Sequence, residues 1–414
     1  YEIGIRDWSS DVCSSDLNDL IMTTPDFFEG AQEAVARGML EEAEIDDAVR
    51  RILRLKFELG LFEDPRGPDA SRQAAVIGSA AHQALNLDLA RRSLVLLRND
   101  GTLPFDGGFT AGPDGRIARG ASGASPAVSP PRTIAVLGPN ADDPQAHLGD
   151  WAGASGQANW MDEGHPREST ETVLDGFRAL VPETWTVTHA RGADIEVLVP
   201  ADEELWPDGQ PAPDVFSAAP PDEAMIAEAV RAATAADLAV CVLGDTIALT
   251  GEYCSTATLE LQGGQIALLD AIVETGTPVV LVLVHSKPSV LPPSAERAAA
   301  IVEAFNPGMR GGRAIAELVL GLIEPTGRLP LTVPRHVGQQ PVYYNQIRGQ
   351  HGDRYADLTQ DPLFAFGEGL SYTSVEYADL VVAQERVAVD GTVRASVTLT
   401  NTGPRPAVET VQAY

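Results

Sequence analysis

Runs of consecutive apolar residues alternate with amphipathic stretches through the middle of the chain. Residues 133–139 (TIAVLGP), 238–243 (LAVCVL) and 278–285 (PVVLVLVH) hold almost no polar side chain. A sheet with one wet face would alternate polar and apolar positions, so these runs predict strands covered on both sides. Residues 185–190 and 299–305 read as further strands. Residues 170–181, 222–236, 264–275 and 311–321 read as helices, and a helix over 82–99 runs into a strand-like 93–97. Strands alternating with helices predict an α/β fold with a largely parallel sheet.

The flanks have a different texture. Residues 25–40 and 44–57 are predicted helices, the second with Ile45, Val49, Ile52, Leu53 and Lys56 at three- and four-residue spacing. Lys56 lies in its last turn, where a cation suits the helix dipole. One short strand at 19–22 and these helices cannot bury a core, so the segment reads as the tail of a larger domain. Asp64-Pro65-Arg66-Gly67-Pro68 reads as the start of a linker, 106–131 as a Gly/Ser/Pro-rich insertion and 199–222 as a Pro/Asp-rich loop. Beyond Pro334 an irregular segment precedes predicted antiparallel strands at 381–382, 387–389, 393–400 and 408–414. Val393, Ala395, Val397 and Leu399 alternate with polar residues there. Such strands suit the start of a β-sandwich, which needs about seven. Residues 7–17, DWSSDVCSSDL, follow neither period and resemble the conceptual translation of a sequencing-adapter oligonucleotide. Residues 1–17 are therefore expected to be non-native.

Composition narrows the function classes. A length of 414 residues exceeds one ordinary core. A formal net charge of −30 disfavours a phosphate backbone as partner, so no nucleic acid is expected. No apolar run approaches about 18 residues, so no membrane partner is expected. No secretory leader can be read, which leaves cytoplasm, periplasm and secretion all open. Cys13, Cys241 and Cys254 have no metal-ligand spacing, and neither metal nor cofactor is expected.

The stretch that carries chemistry is 239–265, AVCVLGDTIALTGEYCSTATLELQGGQ. Open α/β sheets place their ligands just past the carboxyl ends of buried strands. Glu252 lies on the loop that follows such a strand and is the candidate acid.

Six motifs then match one family in order over most of residues 18–414: AVRRILRLKFELGLFEDP (48–65), ARRSLVLLRNDGTLP (90–104), IAVLGPNADD (134–143), GDTIALTGEYCSTATLELQGGQ (244–265), FNPGMRGGRAIAELVLGLIEPTGRLPLTVPR (305–335) and FAFGEGLSYTSVEY (364–377). The chain resembles family 3 glycoside hydrolases of the bacterial β-glucosidase type. The resemblance implies a (β/α)8 barrel, then an α/β sandwich domain, then a fibronectin type III-like domain. On this sequence it implies the last barrel strand and helices at 18–62, a linker and helix at 63–89, the sandwich domain at 90–334, an irregular connection at 335–377, and a truncated third domain at 378–414.

It also implies an activity: retaining hydrolysis of terminal, non-reducing β-D-glucosyl residues from a β-linked glucoside or oligosaccharide. One carboxylate attacks the anomeric carbon, and a second protonates the leaving oxygen and then activates water, the two about 5–5.5 Å apart. The Thr250-Gly251-Glu252 loop matches the family's Ser-Gly-Glu acid/base loop. The family's nucleophile is an aspartate in a barrel Ser-Asp-Trp-type motif. Ser10-Asp11 and Ser15-Asp16 fall in the adapter-like string, so the nucleophile is expected to be absent from this chain and the polypeptide inactive alone. The chain departs from the family at Asp245 (usually Glu), at Ser255-Thr256 (usually Ser-Arg) and at Glu368 (usually His), which marks a divergent subgroup. Rival readings are a β-xylosidase or other exo-β-glycosidase and, in another class, a non-catalytic carbohydrate-binding or interaction module.

Bland roles compete with functional ones at the remaining positions. Asp245 is expected to accept backbone hydrogen bonds at the strand end. His285 and Lys287 close the next strand and could line a cleft, although a satisfied local hydrogen bond is favoured. Trp151 and Trp160 are weak candidates for stacking on a sugar. Asp26 suits a helix N-terminus. Tyr343, Tyr344 and Arg354 read as packing residues, and Cys254 is too isolated to be a nucleophile.

Overall fold

A computed structural model describes residues 19–20, 25–105, 109–111, 117–119, 131–149, 152, 165–200, 215–250, 255–345, 355–384 and 386–414. The adapter-like string and the expected strand at 19–22, beyond its first two residues, lie outside them. Two compact units divide the chain at Ser79.

The first unit holds α1 (Pro25–Ala36), α2 (Glu42–Glu58) and α3 (Ala70–Val76). Asp69 caps α3, its carboxylate accepting the Ser71 and Arg72 amides. The expected linker over 63–89 thus contains one helix more than its sequence suggests. The apolar stripe of α2 is not buried: Ile45, Val49 and Leu53 are exposed, and no residue of the helix is buried.

In the second unit, α4 (Ala80–Ser93) leads into β1 (Val95–Asn99). Short strands β2 (Phe109–Ala111) and β3 (Ile117–Arg119) pair within the expected insertion. The sheet then takes β4 (Thr133–Leu137), α5 (Val173–Leu180) and β5 (Thr186–Ala190). A hairpin follows, β6 (Glu196–Val199) with β7 (Val215–Ala218), the second strand inside the 199–222 stretch that reads in sequence as loop and the first running up to its start. After it come α6 (Glu223–Thr234), β8 (Leu238–Gly244), α7 (Gln265–Val273), β9 (Val279–Val284), β10 (Ala300–Glu303) and α8 (Gly311–Val319).

The main sheet has the order β1-β10-β9-β8-β4-β5. All neighbours are parallel except β1, which joins β10 antiparallel at the edge. Period two explains why the apolar runs are unbroken. Val280, Val282 and Val284 enter one core with Phe177 of α5 and Ile315 and Leu318 of α8. Val279, Leu281 and Leu283 enter the other with Ala229 of α6 and Leu268 and Ile272 of α7. All six residues of β9 are buried.

Helices α5 and α8 meet closely. Thr172 caps α5, its hydroxyl accepting the Asp175 amide, and a Cβ at Gly312 would overlap the Thr172 carbonyl. Arg91 of α4 and Arg313 of α8 share the buried carboxylate of Glu317.

At the carboxyl end, β11 (Val375–Val382) pairs with β12 (Ala395–Asn401). The expected strands at 387–389 and 408–414 do not form, and no residue of β11 or β12 is buried. Among the described residues no second sheet covers the faces of this two-strand ribbon, so the alternation of residues 393–399 does not become an inside and an outside.

Candidate active site

The strand order reverses once. From β4 the chain steps outward to β5, then crosses back to place β8 on the other side of β4 and continues through β9 to β10. Loops leaving the carboxyl ends of β4 and β8 diverge there, and the crevice between them is where open α/β sheets receive ligands.

Three side chains fix that edge. Asn140, fully buried just after β4, donates from Nδ2 to the carbonyls of Asp245 (3.0 Å) and Val284 (3.1 Å). Gln265, the first residue of α7, pairs with the Gly244 backbone in both directions. Its Oε1 accepts the Gly244 amide at 2.8 Å, and its Nε2 donates to the Gly244 carbonyl at 2.9 Å. Gly244 itself is required here: its φ is +153°, and a Cβ would overlap the Val284 carbonyl. The third, Glu303, ends β10. Its Oε2 meets His285 Nε2 at 2.7 Å and its Oε1 accepts the Phe305 amide at 2.9 Å.

Asp245 lies at this edge, 5% exposed. Among the described residues its Oδ2 makes no hydrogen bond. The backbone of the residue is tied down, donating to Val284 O and accepting from Asn140. Burial pushes the Asp245 carboxyl above its ordinary range, while Lys287 and His285 pull it back. Lys287 Nζ stands 3.8 Å from Oδ2. A small pocket opens beside Asp245, lined by Thr246, Thr250, Ser286, Asn306 and Ala146 among others. Ser286 donates to Asn306 Oδ1 at 2.7 Å and Asn306 donates to Ala146 O at 3.0 Å, so its far wall is tied down.

His285 is fully buried with both ring nitrogens engaged, Nδ1 with Ser289 Oγ at 2.6 Å and Nε2 with Glu303. Burial alone would lower its pKa, but the Glu303 charge and hydrogen bond outweigh it and the net shift is upward. His147, also fully buried, behaves oppositely. Burial pushes it down to about 4, against the pull of Asp143.

Glu252, Trp151, Trp160, Cys254 and Arg354 lie outside the described residues, as does the side chain of Asp26 near the start of α1. The chain on either side of Glu252 is described: β8 and the turn Ile247–Leu249 precede it, and Thr256 follows. Tyr343 and Tyr344 are exposed, and Tyr344 stacks on Phe366 with ring centroids 4.5 Å apart. Asn140, Gln265 and Glu303 carry no role in the sequence reading. Their one visible signal is a polar residue at the margin of an apolar run.

The profile of the Glycosyl hydrolase family 3 C-terminal domain matches residues 94–372. A periplasmic β-glucosidase of Salmonella typhimurium is 33% identical over 92% of this chain and 47% of its own length. A β-xylosidase of Formosa agariphila is 33% identical over 89% of this chain and 45% of its own. The chain spans about half the length of these curated relatives. Among solved structures, a β-glucosidase of saponin metabolism from intestinal bacteria superposes with a TM-score of 0.84 at 52% identity, over 97% of this chain and 53% of that one. A Listeria innocua β-glucosidase in complex with glucose gives 0.72 at 26%, over 96% and 47%.

Proposed function

Because the chain belongs to glycoside hydrolase family 3, we propose that it supplies the acid/base half of a retaining exo-β-glycosidase acting on terminal β-D-glucosyl residues, with Glu252 as that group. The sheet order carries the reading. The strand that runs on toward Glu252, β8, adjoins β4 where the order reverses, and that edge is braced by Asn140 and Gln265. A loop anchored on a rigid sheet edge suits a group that must deliver a proton at a fixed point.

In the proposed reaction an aspartate outside this chain attacks the anomeric carbon. The bond to the leaving oxygen breaks as the Glu252 carboxyl transfers its proton to that oxygen. The resulting carboxylate then takes a proton from water, whose oxygen displaces the enzyme aspartate and releases the sugar. The chemistry needs no metal or cofactor. A β-xylosidase is the second reading, favoured by a relative of that activity at the same 33% identity.

The test has two parts. This polypeptide alone is expected to leave p-nitrophenyl β-D-glucoside and β-D-xyloside intact. In a gene product extended to the length of its relatives, Glu252→Ala is expected to slow substrates with poor leaving groups most, with azide partly restoring deglycosylation of activated ones. Turnover by the short polypeptide that disappears in Glu252→Gln would refute the expected inactivity. Leaving-group dependence unchanged by Glu252→Ala would remove Glu252 from the mechanism.

A further inference from the structure

Lys287 sits just past the carboxyl end of β9, followed by Pro288. A residue before proline is pushed toward extended backbone, which restricts the root of the Lys287 side chain. Its ammonium group carries three donors. One reaches the Leu249 carbonyl at 3.2 Å and another the Thr256 hydroxyl at 2.8 Å, and the Asp245 carboxylate stands at 3.8 Å. The Thr256 hydroxyl in turn donates to the Thr258 carbonyl at 2.8 Å, and the Leu259 carbonyl accepts the Val290 amide at 2.8 Å.

Leu249 and Thr256 bracket the segment that carries Glu252. We infer that Lys287 is a positioning residue: its one ammonium group ties the two flanks of the Glu252 loop to each other and to the end of β9. This rests on the reading of Glu252 as the acid/base. Joining both ends of a short loop at one point removes much of its conformational freedom. The Asp245 carboxyl stands 3.8 Å from the ammonium group, and the two acceptors set the direction of the group.

Hydrogen–deuterium exchange on the full chain tests the staple without requiring turnover. Lys287→Met keeps the apolar stem and removes every donor. Exchange in peptides covering residues 246–260 is expected to accelerate by about tenfold, while peptides from 238–244 and 279–284 keep wild-type rates. Lys287→Arg, which retains charge and donors, is expected to restore at least half of the protection. Exchange at 246–260 within about twofold of wild type would overturn the proposal. Equal acceleration in the control strands would also overturn it, because the lysine would then serve general stability. So would an arginine variant as fast as the methionine one, because arginine supplies the charge and donors through which the staple acts. A failed Glu252 leaving-group test would remove the catalytic reading and leave this exchange pattern unaltered, so the two failures can be told apart.

Discussion

Replacing Glu303 separates charge from packing at the buried end of the sheet. The carboxylate is 2% exposed and serves two groups, the His285 ring and the Phe305 amide. Phe305 has φ of +52°, a left-handed conformation that costs an L-residue roughly 1–2 kcal/mol. The hydrogen bond from its amide to Glu303 helps to hold it there. Glu303→Ala removes counter-charge and acceptor together. Breaking a buried pair from one side costs about 3–5 kcal/mol, and an amide left without an acceptor about 1–3 kcal/mol. His285 can shed its proton and recover part of the first term, so the expected loss is about 4 kcal/mol. Glu303→Gln keeps the shape and one acceptor oxygen and should lose about 1–2 kcal/mol above neutrality.

The pH dependence has a definite sign. His285 titrates above its ordinary 6.5 in the folded chain because of Glu303. The folded state therefore holds this proton more tightly than the unfolded one. The resulting stabilisation is complete below 6.5 and is lost as pH rises through the folded-state value. Urea unfolding followed by far-UV circular dichroism at about pH 6 and about pH 9 reads this directly. The gap between wild type and Glu303→Gln should widen on the acid side. A gap independent of pH, or a Glu303→Ala midpoint equal to wild type, refutes the account.

His147 should act in the opposite sense. Burial lowers its pKa to about 4, so its contribution is complete above 6.5 and is lost as pH falls toward 4. Urea midpoints of His147→Leu should therefore fall less than those of wild type across that interval; a parallel decline would count against it. At the α5–α8 contact, Gly312→Ala raises helix propensity by about 1 kcal/mol but drives a Cβ into the Thr172 carbonyl. Overpacking of this kind costs about 1–3 kcal/mol and should win, so the urea midpoint falls with its slope unchanged. A rise in midpoint would show that the helices can separate freely.

Much of the fold is legible because each signal is local. The run at 278–285 contains β9, and Asp222 stands as the cap of α6 directly before its amphipathic stretch. The hairpin β6–β7 is missed because its strands are short, exposed and separated by Pro/Asp-rich sequence with no period of its own. The strands expected at 387–389 and 408–414 do not form because β propensity needs a neighbouring strand or sheet to act on. At the candidate site the sequence points to the loop after β8, and for His285 and Lys287 it favours a satisfied local hydrogen bond over lining a cleft. Their different duties, one holding Glu303 and the other the loop flanks, depend on which strands are neighbours.

The α/β class, the family through its ordered motifs, and Glu252 as the residue to test are all readable from the residues in order. Apolar runs and turn residues act within a few positions, so they survive being read one after another. That β8 adjoins β4 at the reversal of strand order, and that β1 closes the far edge antiparallel to β10, emerges once the chain is folded. Folding also brings Asn140, Gln265, Glu303 and Lys287 together at the carboxyl ends of the strands. Those contacts join residues far apart in the chain. A buried polar group shows its role only when the partner that satisfies it stands beside it.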